Sequence, residues 1–312
     1  MLIVNTLAPL VLLIALGAVL AKHEFLGHQF MADLNKLAFW IALPALLFTS
    51  AIHASEPVSQ TWTLIALLFG ATILITIIAW GVSYLLKMPD HTRGTLAQSA
   101  LRGNLAYIGI PVLAYSFATL PGKGDNKAMA TAVIVMVLLM AFYNVLAVIV
   151  LQLSHHSSQG ADWRKVGKSV VTNPLLVAGI VGLVVPLVNV TIPEFVQRAL
   201  EALGAAAVPI ALMCIGGSLA TTSLKGRVSW VVAAALLKVA LLPVMVFWLS
   251  RWVGLMHDEL RIAVILSCCP TAAASFIMAK QMGGDGALAS GSIALSTVLS
   301  AASLAVALWV TT

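Results

Sequence analysis

About ten apolar stretches, each near the length a helix needs to cross a bilayer, fill this chain almost end to end. They lie near residues 2–21, 32–52, 61–86, 95–119, 127–153, 172–189, 195–221, 228–251, 259–281 and 286–310, separated by short charged or Gly/Pro-bearing connections. A helical span needs roughly 20 mostly apolar residues, because the hydrocarbon layer is about 30 Å thick and a helix rises about 1.5 Å per residue. With 61% hydrophobic and 9% charged residues, the chain has too little polar surface to cover a water-soluble core of its size. The pattern predicts an all-α integral membrane protein.

The stretches fall into two matching sets. Pro111 is followed by Ser116 and Phe117, and Pro270 by Ser275 and Phe276, so P-x-x-x-x-S-F recurs at an offset of 159 residues. Pro9 and Gly17 recur as Pro174 and Gly182, and A-L-P-A-L-L ending at Leu47 recurs as A-V-P-I-A-L ending at Leu212, both at an offset of 165. Near the end of each set stand Asn126 and Asp285, two residues suited to cap a helix N-terminus. Five spans per copy is an odd number, so the second copy enters the membrane from the opposite side. The expected architecture is ten transmembrane helices as two inverted five-helix repeats, with broken crossover helices 4 and 9. Residues 1–153 form the first repeat, 154–171 a cytoplasmic linker and 172–312 the second repeat.

The net charge of +6 follows from membrane topology rather than from nucleic-acid binding. On alternate connections, ten basic residues fall on one side (Lys22, Lys36, Lys87, Arg93, Arg164, Lys165, Lys168, Lys225, Arg227 and Lys280) and five on the other (Lys123, Lys127, Arg198, Arg251 and Arg261). The richer side is expected to face the cytoplasm. That places the chain in the cell's inner (plasma) membrane as a multi-pass protein with both termini extracytoplasmic.

Several chemistries lack their residues. Cys214, Cys268 and Cys269 all lie within spans, at spacings that suit neither a disulfide framework nor a metal. His155 and His156 have no further ligand at a usable spacing, so no metal site is expected. Gly167-Lys168-Ser169 echoes a phosphate-binding loop, but Asp162 stands where that loop needs a glycine. No catalytic residues and no cofactor are expected, and no carboxylate lies clearly within a span to serve a proton relay or a carboxylate-rich sodium site.

What remains is the pair of broken spans. A proline inside a helix removes a hydrogen bond and clashes with the carbonyl four residues back, so a break is expected near Gly109–Pro111 and another at Pro270. In lipid such a break survives where protein or a water-filled cavity satisfies the freed groups. Half-helices starting near Pro111 and Pro270 would aim unpaired N–H groups at a common crossing, an arrangement that favours an anion. The competing reading is that both prolines only bend packed helices. Asn104, two turns before Pro111, can contact a substrate or a neighbouring helix, and Ser267, Cys269 and Thr271 are what the ninth span offers beside Pro270. Lys238 lies ten residues after Val228, hence roughly 15 Å into its span. A cation at that depth is a functional candidate, although it can equally bind carbonyls at the Pro243 kink or snorkel to the interface. Arg102, about two turns inside the cytoplasmic end, is within reach of the interface.

Taken together, G-N-L-A-Y-I-G-I-P at 103–111, L-P-A-L-L-F at 43–48, L-K-V-A-L-L-P at 237–243, P-T-A-A-A-S-F-I-M-A-K-Q at 270–281 and A-L-A-S-G-S-I-A-L-S-T-V-L-S at 287–300 resemble the auxin efflux carrier family. That family includes plant auxin exporters and bacterial carriers of malonate, malate and related acids. The resemblance implies a scaffold of spans 1, 2, 6 and 7, a transport unit of spans 3–5 and 8–10, and a substrate site at the 4/9 crossover. Asn104 then matches the asparagine ahead of the family's G-I-P, while Ala263 supplies no second asparagine at the 159 offset and the long central loop of many plant members is missing. The function so implied is secondary transport of a small organic anion, auxin- or malonate-like, by elevator-type alternating access. A sodium-coupled symporter of bile-acid-symporter-like fold and a non-transporting membrane sensor are the alternatives. The expected partners are the anion and the lipid bilayer, with a homodimer left open and nucleic acid not among them.

The charge asymmetry makes one prediction directly. A cysteine introduced at Ser158 should resist impermeant labelling in intact cells while one at the C-terminus reacts; strong external labelling at Ser158 would reverse the topology.

Overall fold

In the computed structural model, the residues described are 2–25, 27–52, 61–118, 126–154, 172–188, 190–221 and 227–311. The linker histidines, Gly167-Lys168-Ser169, Ser158 and the basic residues Lys123, Arg164, Lys165, Lys168 and Lys225 lie outside them, as does the Asn126 side chain. The described residues are helical apart from one isolated bridge. In chain order the helices are α1 Leu2–Lys22, α2 His28–Leu37, α3 Leu43–Ile52, α4 Thr61–Leu85, α5 Asp90–Leu101, α6 Ile110–Ala118, α7 Asn126–Leu153, α8 Pro174–Leu187, α9 Glu194–Thr221, α10 Val228–Leu236, α11 Leu242–Val253, α12 His257–Cys268, α13 Ala274–Gln281 and α14 Gly286–Val310. These cover the ten apolar stretches. Among the described residues six helices are long and apolar enough to cross a membrane: Gln29–Ile52, Thr61–Leu85, Ala128–Leu153, Glu194–Ala220, Val228–Val253 and Gly286–Val310. Ala8–Lys22, Leu105–Phe117 and Pro174–Leu187 are shorter apolar helices.

Three five-residue π-helical turns, Ala38–Ala42, Leu105–Gly109 and Leu237–Leu241, join α2 to α3, lead into α6 and join α10 to α11. Each ends two residues before a proline, at Pro44, Pro111 and Pro243 respectively. Leu43 and Leu242, the residues just ahead of two of these prolines, donate their N–H to the carbonyls of Ala38 and Leu237, five residues back. Widening the turn by one residue keeps a carbonyl out of the proline ring, so the chain stays helical through a residue that would otherwise break it.

This corrects the expected position of the first break. Pro111 does not interrupt the fourth span, because the π turn accommodates it; the chain leaves the helix earlier, at Arg102–Asn104. The second interruption spans Cys269–Ala273 and contains Pro270, so the following helix starts at Ala274, four residues later than expected. Asp285 caps α14 as its sequence suggests, its carboxylate accepting a hydrogen bond from the Leu288 N–H at 2.9 Å.

The chain packs into two compact units, each drawn from both of its halves. One comprises Met1–Thr61, Ala106–Leu138 and Val170–Thr222. Within it α1 lies along α9, α3 packs on α8 and α9, and α6 touches α1. Gly216 of α9 meets the Ile14 carbonyl of α1 so closely that a Cβ there would collide with backbone. The other unit comprises Trp62–Leu105, Leu139–Ser169 and Ser223–Thr312. In it α10 packs on α14 and α5 around Met88, Leu96, Val231, Ala234 and Leu288, and Phe69 stacks on Phe142 with ring centroids 4.1 Å apart. The units differ from the scaffold and transport sets that the resemblance implies, since residues 106–138 join the first. The break at Arg102–Asn104 frees α6 from α5, and α6 finds its packing partner in α1 instead.

Because the Gly216 contact is to backbone, it cannot be relieved by a rotamer change. Gly216→Val should lower stability by about 1–3 kcal/mol, the usual cost of overpacking a close interface. Thermal unfolding in detergent measures it, and an unchanged melting temperature would show that α1 can shift away.

Candidate functional site

The two interruptions lie side by side within the second unit and run antiparallel. Gly103 and Thr271 form an isolated bridge, Asn104 donates its N–H to the Pro270 carbonyl at 2.7 Å, and the Ala272 N–H reaches the Arg102 carbonyl at 3.0 Å. Arg102, the first residue past α5, is extended at φ −90° and ψ 109°, and Cys269 past α12 has φ −58° and ψ 133°. Each break thus satisfies backbone groups that the other frees, which is what irregular chain needs where water is scarce. Thr271 fastens the pair further. Its N–H donates to Ser296 Oγ at 3.0 Å and its hydroxyl to the Ser99 carbonyl at 2.8 Å.

Lys238 sits in the π turn between α10 and α11 and is fully buried at 0% exposure. Its Nζ has no hydrogen-bond partner among the described residues. A methyl group placed on Gly103 would lie 3.3 Å from that nitrogen, so the glycine lets the break pass close to the amine. The Tyr143 ring is the nearest aromatic face, its centroid 6.0 Å away. A second cation lies in the same break: Arg102, also buried, donates from Nη2 to Asn144 Oδ1 at 2.6 Å and from Nη1 toward Met278 Sδ at 3.6 Å. Neither cation has a carboxylate partner among the described residues. Both side-chain atoms of Gln98 and the hydroxyls of Ser99 and Ser275 are likewise buried without a partner.

Of the residues singled out from sequence, the structure brings Asn104, Pro270, Thr271, Cys269 and Lys238 together around Gly103. The Asn104 side chain makes no hydrogen bond among the described residues and keeps 9% exposure. Ser267 turns back on its own helix, donating to the Val264 carbonyl at 2.7 Å, and the Cys269 thiol does the same to Ile265 at 3.4 Å. Gly109 and Pro111 are buried in the first unit, beyond the break. Arg102 does not reach for an interface, because Asn144 holds it inside. Sequence reading missed Asn144, Gln98, Ser99 and Ser296, although an asparagine midway along the apolar α7 was a visible signal.

Interrupted membrane helices whose meeting point holds buried, uncompensated polar groups are the construction of a membrane transporter rather than of a passive bundle. Over residues 2–309 the chain matches the family described as membrane transport protein, and it belongs to that family, the auxin efflux carriers that its motifs resemble. It is 24% identical to an uncharacterized transporter of Methanocaldococcus jannaschii, over 96% of each chain. It is also 24% identical to a Rhizobium meliloti protein named "Putative malonate transporter", over 97% of this chain and 93% of that one. An uncharacterized transporter of Methanothermobacter thermautotrophicus is 24% identical over 96% of this chain and 95% of its own length.

Among the described residues the Thr271 hydroxyl is the one side chain of the second break that hydrogen-bonds to α5. Thr271→Val should destabilise the protein by about 1–3 kcal/mol by leaving the buried Ser99 carbonyl unpaired. Thr271→Ser, which keeps the hydroxyl, should recover most of that loss. Equal melting temperatures for the two variants would rule the bond out as a fastening.

Proposed function

We propose that this chain is a secondary carrier for a small organic anion, a mono- or dicarboxylate of the malonate or auxin kind, bound where the interruptions of helices 4 and 9 meet. The observation that carries the reading is Lys238, a buried amine with no hydrogen-bond partner among the described residues, set against Gly103 where the two interruptions meet. Leaving an ion in a protein interior costs several kcal/mol, and a cation–π contact returns only about 0.5–2 kcal/mol. An anionic substrate supplies what is missing. Arg102 adds positive potential, while Asn104 and Gln98 offer amide groups to the same carboxylates. The name of the Rhizobium meliloti relative points to the same substrate chemistry.

The proposed architecture is an inverted repeat of ten helices, and the pairing of α1 with α9 and of α3 with α8 supports it. Under that symmetry spans 1 and 6 exchange, as do spans 2 and 7, so each pairing is the image of the other. Transport proceeds by alternating access of elevator type, with the unit that contains both interruptions carrying the anion. Since Lys238 is fully buried here, substrate reaches it in another conformation of the same cycle.

The test begins with a panel of malonate, malate, succinate and indole-3-acetate, each assayed for thermal stabilisation of the purified protein and for uptake into proteoliposomes. Lys238→Met should weaken binding roughly ten- to a hundredfold, the worth of a charge-assisted hydrogen bond. Asn104→Ala should weaken it about three- to tenfold. If Lys238→Met remains folded and binds as tightly as the parent, the anion site lies elsewhere; ligand binding without flux would mark a sensor instead.

A further inference from the structure

We infer that the second unit binds a glycerophospholipid, with one acyl chain in an apolar groove between α11, α12 and α14 and the phosphate on Arg251. The groove has a volume of about 400 Å³. One wall is a face of the α10–α11 rod between Leu236 and Trp248, and the others are α12 at Val264 and Cys268 and α14 from Leu299 to Val310. Cys268, Ser303 and Trp248 supply the only heteroatoms among its lining side chains, and the Cys268 thiol is already turned onto the Ser303 carbonyl at 3.6 Å. Such walls offer a polar solute almost nothing and suit a hydrocarbon chain.

The depth of the groove fits one leaflet. From Leu236 to Trp248 is twelve residues, roughly 18 Å of helix rise, a little over half of the roughly 30 Å hydrocarbon layer. Its outer end lies where a headgroup belongs. There Arg261 donates to the Thr311 carbonyl at 2.8 Å, which sets the start of α12 beside the end of α14, and α11 reaches the same end at Val253. Trp248, Trp252 and Trp309 are exposed at these helix ends, and tryptophan is enriched at the membrane–water boundary. On α11 the lining positions Ala240, Val244 and Phe247 continue at Arg251, four residues after Phe247 and so one turn farther out on the same stripe. Arg251 is exposed, and its side chain has no ion pair or hydrogen bond among the described residues. Of the other charges at this end, Arg261 is buried on Thr311 with Asp258 as its electrostatic neighbour, and Glu259 is buried too. A guanidinium matches a phosphate bidentately. The groove alone would take any hydrocarbon and the arginine alone any anion; one turn apart, they select a molecule that carries both.

The floor of the groove is the rear of the second break, since Cys268 precedes Cys269 and Val239 follows Lys238. A lipid there packs behind the proposed anion site without entering it, and its presence does not depend on the anion reading. Native mass spectrometry of the purified, delipidated chain, titrated with dioleoyl phosphatidylglycerol, tests the site. One lipid per chain should bind ahead of weaker additional ones and raise the melting temperature. Arg251→Gln should weaken that first binding about fivefold, and Arg251→Lys should recover most of the loss. Ala302→Phe, which fills the groove from an exposed position, should weaken it about tenfold or more and remove the thermal stabilisation. Glycerol 3-phosphate, which has the phosphate and no chains, should not compete. Equal first-lipid affinity in the parent, Arg251→Gln and Ala302→Phe would mark ordinary boundary lipid and overturn the site. A loss in Arg251→Gln without one in Ala302→Phe would overturn it by taking the chain out of the groove, and displacement by glycerol 3-phosphate would do so by showing a site for free phosphate.

Discussion

A buried lysine amine with no hydrogen-bond partner among the described residues is the constraint around which the two breaks are arranged. Lys238 is held at the meeting point of two interrupted helices by a π turn that Pro243 enforces, and Gly103 withholds the side chain that would fill the space beside it. Any of these features alone has a mundane explanation. A π turn relieves a proline, a glycine permits close approach, and a lysine in a membrane helix can reach for an interface. Their convergence on one nitrogen atom does not, because a fold that needed only stability would have placed an apolar residue there. Replacing buried charge by well-packed hydrophobic residues is often neutral or stabilising.

Around that nitrogen, main chain and side chains behave in opposite ways. The backbone of both breaks is satisfied, through Asn104 to Pro270, Ala272 to Arg102, and the two bonds of Thr271. The side chains of Gln98, Ser99 and Ser275 are not. A half-satisfied polar network is worse for stability than an apolar core, so the unpaired side chains are a cost the fold bears with the frame already rigid. Rigid main chain with unpaired polar side chains is what a preorganised binding site requires, since the ligand then meets donors whose positions are fixed and whose partners are missing.

The chain's gross organisation was legible because bilayer thickness imposes it: each helix in the structure coincides with an apolar stretch whose length hydrocarbon dictates. Which of the candidate residues would come together was partly legible, and their geometry was not. Asn104, Thr271, Pro270, Cys269 and Lys238 were recognisable, yet Pro111 drew attention away from the break at Arg102–Asn104. Proline is a reliable signal of a weakened helix, but whether the helix breaks or widens depends on neighbouring chain that no local pattern reveals. Pro9, Pro186 and Pro209 stand in helices that neither break nor widen. What decided the position of the break was a partner 166 residues away, the Pro270 carbonyl that takes the Asn104 N–H. Arg102 was misplaced for a similar reason, because its fate turned on Asn144 in another span.

The two buried cations at the breaks are not equivalent, and the difference is chemical rather than positional. A guanidinium stays protonated under any condition a cell provides, and its planar fork suits fixed hydrogen bonding of the kind Arg102 makes to Asn144. An ammonium is a compact charge on a flexible stem, and that of Lys238 makes no hydrogen bond among the described residues. Arg102 is therefore held in place by a partner within the protein, whereas Lys238 is left without one among the described residues. On the proposed anion reading the two divide the work, the tethered guanidinium shaping the break and the unpartnered amine left to meet the substrate.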